Sequence, residues 1–92
     1  MEKKILYRIH VRGRVQGDGF RWSAVREAKI RGIKGIVKNM PDGSVYIEAE
    51  GSAEQLKRFI DWCNRGPGFG HVDSVTFDEY PPVNYRDFSI EY

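Results

Sequence analysis

The chain has 92 residues, of which 40% are hydrophobic and 30% are charged, and its formal net charge is +2. This length fits one domain, residues 1–92, with a single core, and no apolar run is long enough to span a bilayer. The single cysteine excludes an internal disulfide, and the absence of an apolar amino-terminal stretch leads us to expect a cytoplasmic protein.

The first predicted element is a strand, because apolar and polar side chains alternate from Ile5 to Arg12. It leads into Gly13–Arg21, with the sequence GRVQGDGFR, where three glycines permit a tight turn and a close approach to a ligand. Backbone amides at the start of the following helix favour an anion, and Arg21 adds a planar cation suited to phosphate or carboxylate oxygens. The stretch predicts an anion-binding loop, although a plain strand-to-helix turn with a solvated Arg21 has the same spacing.

Two helices are predicted from apolar residues that recur every three or four positions. The first apolar stripe comprises Trp22, Ala24, Val25 and Ala28. The second apolar stripe comprises Ala53, Leu56, Phe59, Ile60 and Cys63. Gly32 is predicted to end the first helix, and Ser52 with Gln55 forms a capping box at the start of the second. Cys63 is therefore expected to be a small buried side chain rather than a reactive thiol.

Four further strands are predicted between and after the helices, over residues 33–40, 45–49, 71–78 and 88–92. The turn residues from Pro41 to Ser44 join the first two of these strands in a hairpin. The order of elements predicts an α+β sandwich of the ferredoxin-like type, βαββαβ with a short carboxyl-terminal strand. Both helices are expected to cover one face of an antiparallel sheet.

Two blocks of the sequence resemble signatures of the acylphosphatase family. Gly13–Arg21 is similar to G-x-V-Q-G-V-G-F-R, with Asp18 in place of the usual small apolar residue. Gly35–Val45 is similar to G-x-V-x-N-x-x-D-G-x-V, with Ile36 where the family has an aromatic residue. The resemblance covers nearly the whole chain and implies the ferredoxin-like fold. It also implies metal-free hydrolysis of acyl phosphates to a carboxylate and inorganic phosphate.

The resemblance further implies a role for individual residues. Arg21 is expected to bind the phosphate, and Asn39 is expected to orient the attacking water. The rest of the phosphate site is expected to be the loop formed by Gln16, Gly17, Asp18, Gly19 and Phe20. Asn39 does carry both a donor and an acceptor, but an asparagine before a turn also commonly bonds its own backbone. We expect no metal ion and no cofactor, because no group of His and Cys residues has the spacing of metal ligands.

Two other classes of function stay open at the level of sequence. One is a non-catalytic interaction module that uses the open face or an edge of the sheet. The other is a nucleic-acid-binding domain, since the first 38 residues hold eleven basic and three acidic side chains. The stretch Val45–Glu50, which includes the third predicted strand, has one aromatic residue and two acids and argues against this class. We expect a monomer that acts on small acyl phosphates, without nucleic-acid or membrane partners.

Asp18 adds a negative charge to the predicted anion-binding loop. The activity is expected to be weakened if this carboxylate faces the bound anion, whereas a carboxylate that points to solvent is screened and has a much smaller effect. A carboxylate about 7 Å from a phosphate oxygen opposes binding by about 1–2 kcal/mol. The variant Asp18→Val is therefore expected to tighten inhibition by inorganic phosphate about tenfold. An unchanged inhibition constant would mean that this carboxylate does not face the bound anion.

Overall fold

The computed structural model describes residues 2–17, 19–68 and 70–92. Its strands are β1 (Ile5–Arg14), β2 (Lys34–Asn39), β3 (Val45–Gly51), β4 (His71–Tyr80) and β5 (Phe88–Ile90). Its helices are α1 (Phe20–Ile30), between β1 and β2, and α2 (Ala53–Arg65), between β3 and β4. The elements therefore follow one another in the predicted order.

The strands form one sheet in the order β4-β1-β3-β2-β5. β1 pairs antiparallel with β3 and β4, and β2 pairs antiparallel with β3. β5 pairs parallel with β2. After β4, which is one edge strand of the sheet, the chain crosses to the opposite edge and reverses its direction before β5 begins. The predicted ferredoxin-like fold is confirmed, and the terminal strand makes its sheet mixed rather than purely antiparallel.

Both helices pack on the face of the sheet that carries Ile9, Val37 and Ile47, all of which are fully buried. α1 lies against β2 and β5, whereas α2 lies against β4, β3 and β1. Cys63 is fully buried in α2 as predicted, and this burial raises the pKa of its thiol. Within the described ranges, no helix has the length and apolar character needed to cross a bilayer.

The two predicted apolar stripes differ from the observed ones at four positions. Trp22 is 72% exposed, because the buried face of α1 consists of Phe20, Ala24 and Ala28. Residues four apart lie one above another on a helix, and Trp22 falls on the opposite side. In α2, Ala53 is exposed, whereas Trp62 is buried and its ring packs against Phe20 of α1 with centroids 5.4 Å apart. The prediction was therefore wrong for Trp22 and Ala53, and it omitted Phe20 and Trp62.

The ends of the helices match their sequence signals. The Gln55 amide N–H donates to the Ser52 hydroxyl at 3.2 Å, and the Ser52 amide donates to the Gln55 side-chain oxygen at 2.8 Å. This capping box satisfies two amides at the start of α2. Gln55 Nε2 also donates to the Arg31 carbonyl at 2.9 Å, which joins the end of α1 to the start of α2. Gly32, with φ of 74°, supplies the left-handed residue that follows α1.

The connection between β4 and β5 is held to the sheet by Glu50, whose side chain is only 1% exposed. Its carboxylate accepts hydrogen bonds from the backbone amides of Val83, Asn84 and Tyr85. The Tyr85 hydroxyl also donates to Glu48 at 2.6 Å. Burial and this bond raise the pKa of Tyr85. A buried carboxylate is tolerated here because three amides replace its lost hydration.

The variant Glu50→Gln is expected to lower the free energy of unfolding by about 2–3 kcal/mol, because an uncharged amide cannot accept from all three buried N–H groups. The measurement is urea unfolding followed by circular dichroism. The matched control is Glu54→Gln, since Glu54 forms a pair with Arg58 in which the two side chains are 68% and 63% exposed. That change is expected to alter the stability by less than about 0.5 kcal/mol. Equal effects of the two variants would contradict the structural role of Glu50.

Candidate anion-binding and catalytic site

The loop between β1 and α1 is fixed at both ends by buried side chains. Val15 is 2% exposed and Phe20 is 3% exposed, and both belong to the core. Just before the loop, β1 is irregular between Arg12 and Gly13 in its pairing with β4. A Cβ atom on Gly13 would lie 2.2 Å from the His71 carbonyl oxygen, so only glycine fits this close contact. These contacts set the direction in which the loop leaves the sheet.

The backbone at the start of α1 is arranged to receive an anion. Gly17 and Gly19 have φ values of 83° and 76°, the left-handed conformation that favours glycine. Gly19 is the N-cap of α1, and no side chain of a described residue caps the first amides of the helix. No acidic residue lies in the first helical turn. Such uncapped amides, at the positive end of the helix dipole, are typical of phosphate-binding helix starts.

The Gln16 side chain joins this loop to the hairpin between β2 and β3. Its Nε2 donates to the carbonyl oxygens of Met40 and Ser44, both at 2.8 Å. The hairpin is itself held by Asp42, which accepts from the Ser44 hydroxyl at 2.5 Å and the Ser44 amide at 2.9 Å. These two bonds lower the pKa of Asp42. The Gln16 amide therefore fixes the distance between the loop and the end of β2.

Asn39 is the last residue of β2 and is partly buried. Because side chains alternate along a strand, it lies on the same face as Val37, the face that both helices cover. Its Oδ1 atom is buried and accepts no hydrogen bond from any described residue. Buried polar atoms without a partner are uncommon and costly, and they mark positions where a water or a ligand binds. The turn residues after Asn39 bond among themselves and leave this oxygen unused.

Arg21 lies in the first turn of α1, and its guanidinium carbon is 5.3 Å from the centre of the Tyr92 ring. Tyr92 follows β5, where the Glu91 amide donates to the Val37 carbonyl at 2.9 Å. This contact brings the end of the chain, and with it Arg21, beside the end of β2 where Asn39 lies. No carboxylate in the described ranges forms an ion pair with Arg21. Its charge is therefore not neutralised by a described residue.

The structure thus brings the predicted site residues to one end of the sheet, where β1 and β2 end and β3 begins. These residues are Gln16, Gly17, Gly19, Phe20, Arg21 and Asn39. Asp18 lies outside the described residues. Two features were not predicted from the sequence, the bridging role of the Gln16 side chain and the contact of Tyr92 with Arg21. The described residues contain no group of three or more His, Cys, Asp or Glu side chains that could hold a metal ion.

Backbone amides, a guanidinium and a carboxamide thus lie at the same end of the sheet, and groups of these kinds bind anions and water in other proteins. The family model named Acylphosphatase matches residues 7–90 of the chain. An acylphosphatase from Thermotoga maritima is 47% identical over 85 residues, which cover 92% of this chain and 94% of that protein. One from Lactiplantibacillus plantarum is 48% identical, over 85% of this chain and 88% of that protein.

Solved structures agree with the sequence relatives. The crystal structure of acylphosphatase from Bacillus subtilis superimposes with a TM-score of 0.93 at 40% identity. The match covers 96% of this chain and 99% of that chain. The protein therefore belongs to the acylphosphatase family, as the two sequence blocks had indicated.

The variant Gln16→Ala is expected to weaken the binding of inorganic phosphate about tenfold, because the loop and the hairpin lose their connection. Binding is measured by isothermal titration calorimetry. Gln55→Ala is the matched control, since Gln55 also makes two side-chain hydrogen bonds to the backbone but lies at the other end of the sheet. Both variants are expected to lose about 1–2 kcal/mol of stability. If both weaken phosphate binding equally, Gln16 has no special role in positioning the loop.

Proposed function

We propose that this protein hydrolyses acyl phosphates to a carboxylate and inorganic phosphate, with Arg21 and Asn39 as its catalytic residues and without a metal ion. The observation that carries the proposal is the buried Asn39 Oδ1, which accepts no hydrogen bond from a described residue. It lies at the end of the sheet where the uncapped amides of α1 and the guanidinium of Arg21 also lie. A donor, an acceptor and a fixed cation are the groups that this reaction requires.

The loop amides and Arg21 bind the phosphoryl oxygens. An acyl phosphate is a mixed anhydride, and its carboxylate is a good leaving group, so the reaction needs no strong nucleophile from the protein. The barrier is lowered chiefly by positioning and by stabilising charge on the phosphoryl oxygens in the transition state. Backbone amides are well suited to this task because they are already oriented before the substrate arrives. The guanidinium supplies the charge that a metal ion supplies in many other phosphoryl-transfer enzymes.

Asn39 orients the water. Its Oδ1 accepts one O–H of the water, so that a lone pair of the water oxygen faces phosphorus. The water oxygen bonds to phosphorus, the bond between phosphorus and the acyl oxygen breaks, and its electron pair leaves with the carboxylate. Both protons of the attacking water stay with the phosphate, which is released as dihydrogen phosphate. A carboxamide is not basic enough to remove either proton, so its role is geometric.

The variants Arg21→Ala and Asn39→Ala are expected to separate binding from turnover. Asn39→Ala lowers kcat about 10²–10³-fold and leaves inhibition by inorganic phosphate nearly unchanged, because the water is lost but the anion site remains. Arg21→Ala lowers turnover and also weakens phosphate inhibition. The assay is hydrolysis of benzoyl phosphate in the presence of a chelator, with circular dichroism to verify folding.

Matched controls are available on the solvent-exposed side of α2, where Arg58 and Asn64 are both exposed. Arg58→Ala removes a guanidinium whose side chain is 63% exposed, and Asn64→Ala removes a carboxamide that bonds to the Ile60 carbonyl. Both are expected to keep full turnover. Full activity of Asn39→Ala would remove its assigned role, and an unmodified protein that is inactive with chelator would contradict metal-free hydrolysis.

We also propose, from the sequence, that the protein acts as a cytoplasmic monomer without nucleic-acid or membrane partners. The outer face of the sheet supports the proposal that the protein binds no nucleic acid, since the Tyr46 hydroxyl on this face donates to Glu48 at 2.5 Å. Acidic groups beside the aromatic ring oppose the binding of a phosphate backbone. Sedimentation velocity tests the monomer, and a titration with single-stranded RNA at low and high salt tests the second part.

A further inference from the structure

Trp22 is an exposed aromatic side chain next to the proposed phosphate site. It directly follows Arg21 in the first turn of α1 and is 72% exposed. The only other tryptophan, Trp62, is 7% exposed and stacks on Phe59. Packing therefore explains Trp62 but not Trp22. A large flat side chain that the core does not use is available to bind a ligand.

Trp22 forms one wall of a cleft that runs along α1. The cleft has a volume of about 360 Å³ and is lined by Trp22, Ser23, Val25, Arg26 and Lys29. Positions 22, 25, 26 and 29 follow the spacing of one helical face. Trp22 and Val25 give the cleft its apolar surface, and Arg26 and Lys29 give it positive charge. A benzene-sized group needs about 150 Å³, so the cleft accommodates one flat ring.

The geometry of the reaction directs the acyl group toward this side of the helix. In an in-line displacement, the leaving oxygen lies on the side of phosphorus opposite the attacking water. Asn39, which orients the water, lies at the end of β2 on the sheet side of the site. The leaving acyl group therefore points away from the sheet and toward the solvent side of the first turn of α1, where Trp22 lies.

We propose that Trp22 and Val25 form a subsite for the acyl group and make the enzyme selective for flat, apolar acyl groups such as benzoyl. This proposal rests on the proposed function, because it assumes that the phosphoryl group is held by Arg21 and the loop. The positive charges of Arg26 and Lys29 suit an anionic substrate. They oppose a second copy of this chain on the same face, because a symmetric contact would bring like charges together.

Two substrates that differ only in the acyl group test the subsite. Trp22→Ala is expected to raise KM for benzoyl phosphate about tenfold with kcat unchanged, since the contact is the same in the ground and transition states. For acetyl phosphate, which is too small to reach the indole, KM changes by less than about twofold. Trp22→Phe keeps a ring and retains most of the preference. Ile30→Ala is the control, because Ile30 is an equally exposed apolar residue of α1, at 71%, outside the cleft.

Fluorescence gives a readout that does not depend on turnover. Binding of benzoylmethylphosphonate, in which a methylene replaces the bridging oxygen, is expected to change the emission of Trp22. Acetonylphosphonate and inorganic phosphate are expected to bind without this change, and the change is expected to be absent in Trp22→Phe. If the protein hydrolyses neither substrate, the proposed function fails, and the fluorescence titration still decides whether the aromatic group contacts Trp22.

Three results would overturn the subsite. The first is an equal effect of Trp22→Ala on both acyl phosphates. The second is an emission spectrum that the benzoyl analogue leaves unchanged at saturation. The third is a dimer in sedimentation that Trp22→Ala dissociates, since this would make the cleft an interface between copies.

Discussion

The proposed site depends on one bridge, the Gln16 amide that donates to the carbonyls of Met40 and Ser44. The phosphate loop and the strand that carries Asn39 are distant in sequence, and a shift of about 1 Å in either is enough to reduce catalysis strongly. A single side chain with two donated bonds fixes both segments. Both carbonyls belong to the turn after Asn39, so the loop is placed relative to the residue that we propose as the one that orients the water.

Two glycines and two core side chains fix the parts of the loop that the Gln16 bridge does not hold. The left-handed conformations of Gly17 and Gly19 turn the loop toward the start of α1, where no described side chain caps the amides. Val15 and Phe20 hold its two ends in the core. A loop fixed in this way loses little freedom when it binds an anion, so most of the favourable contact energy is retained in affinity.

The sequence predicted the elements because local signals were strong. The capping box of Ser52 and Gln55 marked the start of α2, and the two signature blocks marked the loop and Asn39. Trp22 was placed wrongly because apolar spacing does not say which side of a short helix faces the sheet. The side of α1 that is buried is set by Phe20, which packs on Trp62 of the other helix. This is a tertiary contact, and no local sequence pattern predicts it.

Contacts between segments that are distant in the chain were likewise not predicted from the sequence. The Gln16 side chain and the Tyr92 ring gain their roles only when the hairpin and β5 are in place. The parallel pairing of β5 follows from the path of residues 81–87, which has no signature in composition. Residue types in a motif therefore predicted which side chains form the proposed site. The contacts that position these side chains are visible only in the assembled sheet.

Glu50 and the amides it holds lie at the end of the sheet opposite the glycine loop. The contacts of Glu50 that stabilise the fold and the proposed reactive groups therefore lie at opposite ends of the sheet. Substitutions that stabilise the end near Glu50 need not make the loop at the other end more rigid. An acylphosphatase of this size can therefore gain stability at one end of the sheet while the proposed anion-binding loop at the other end keeps its geometry.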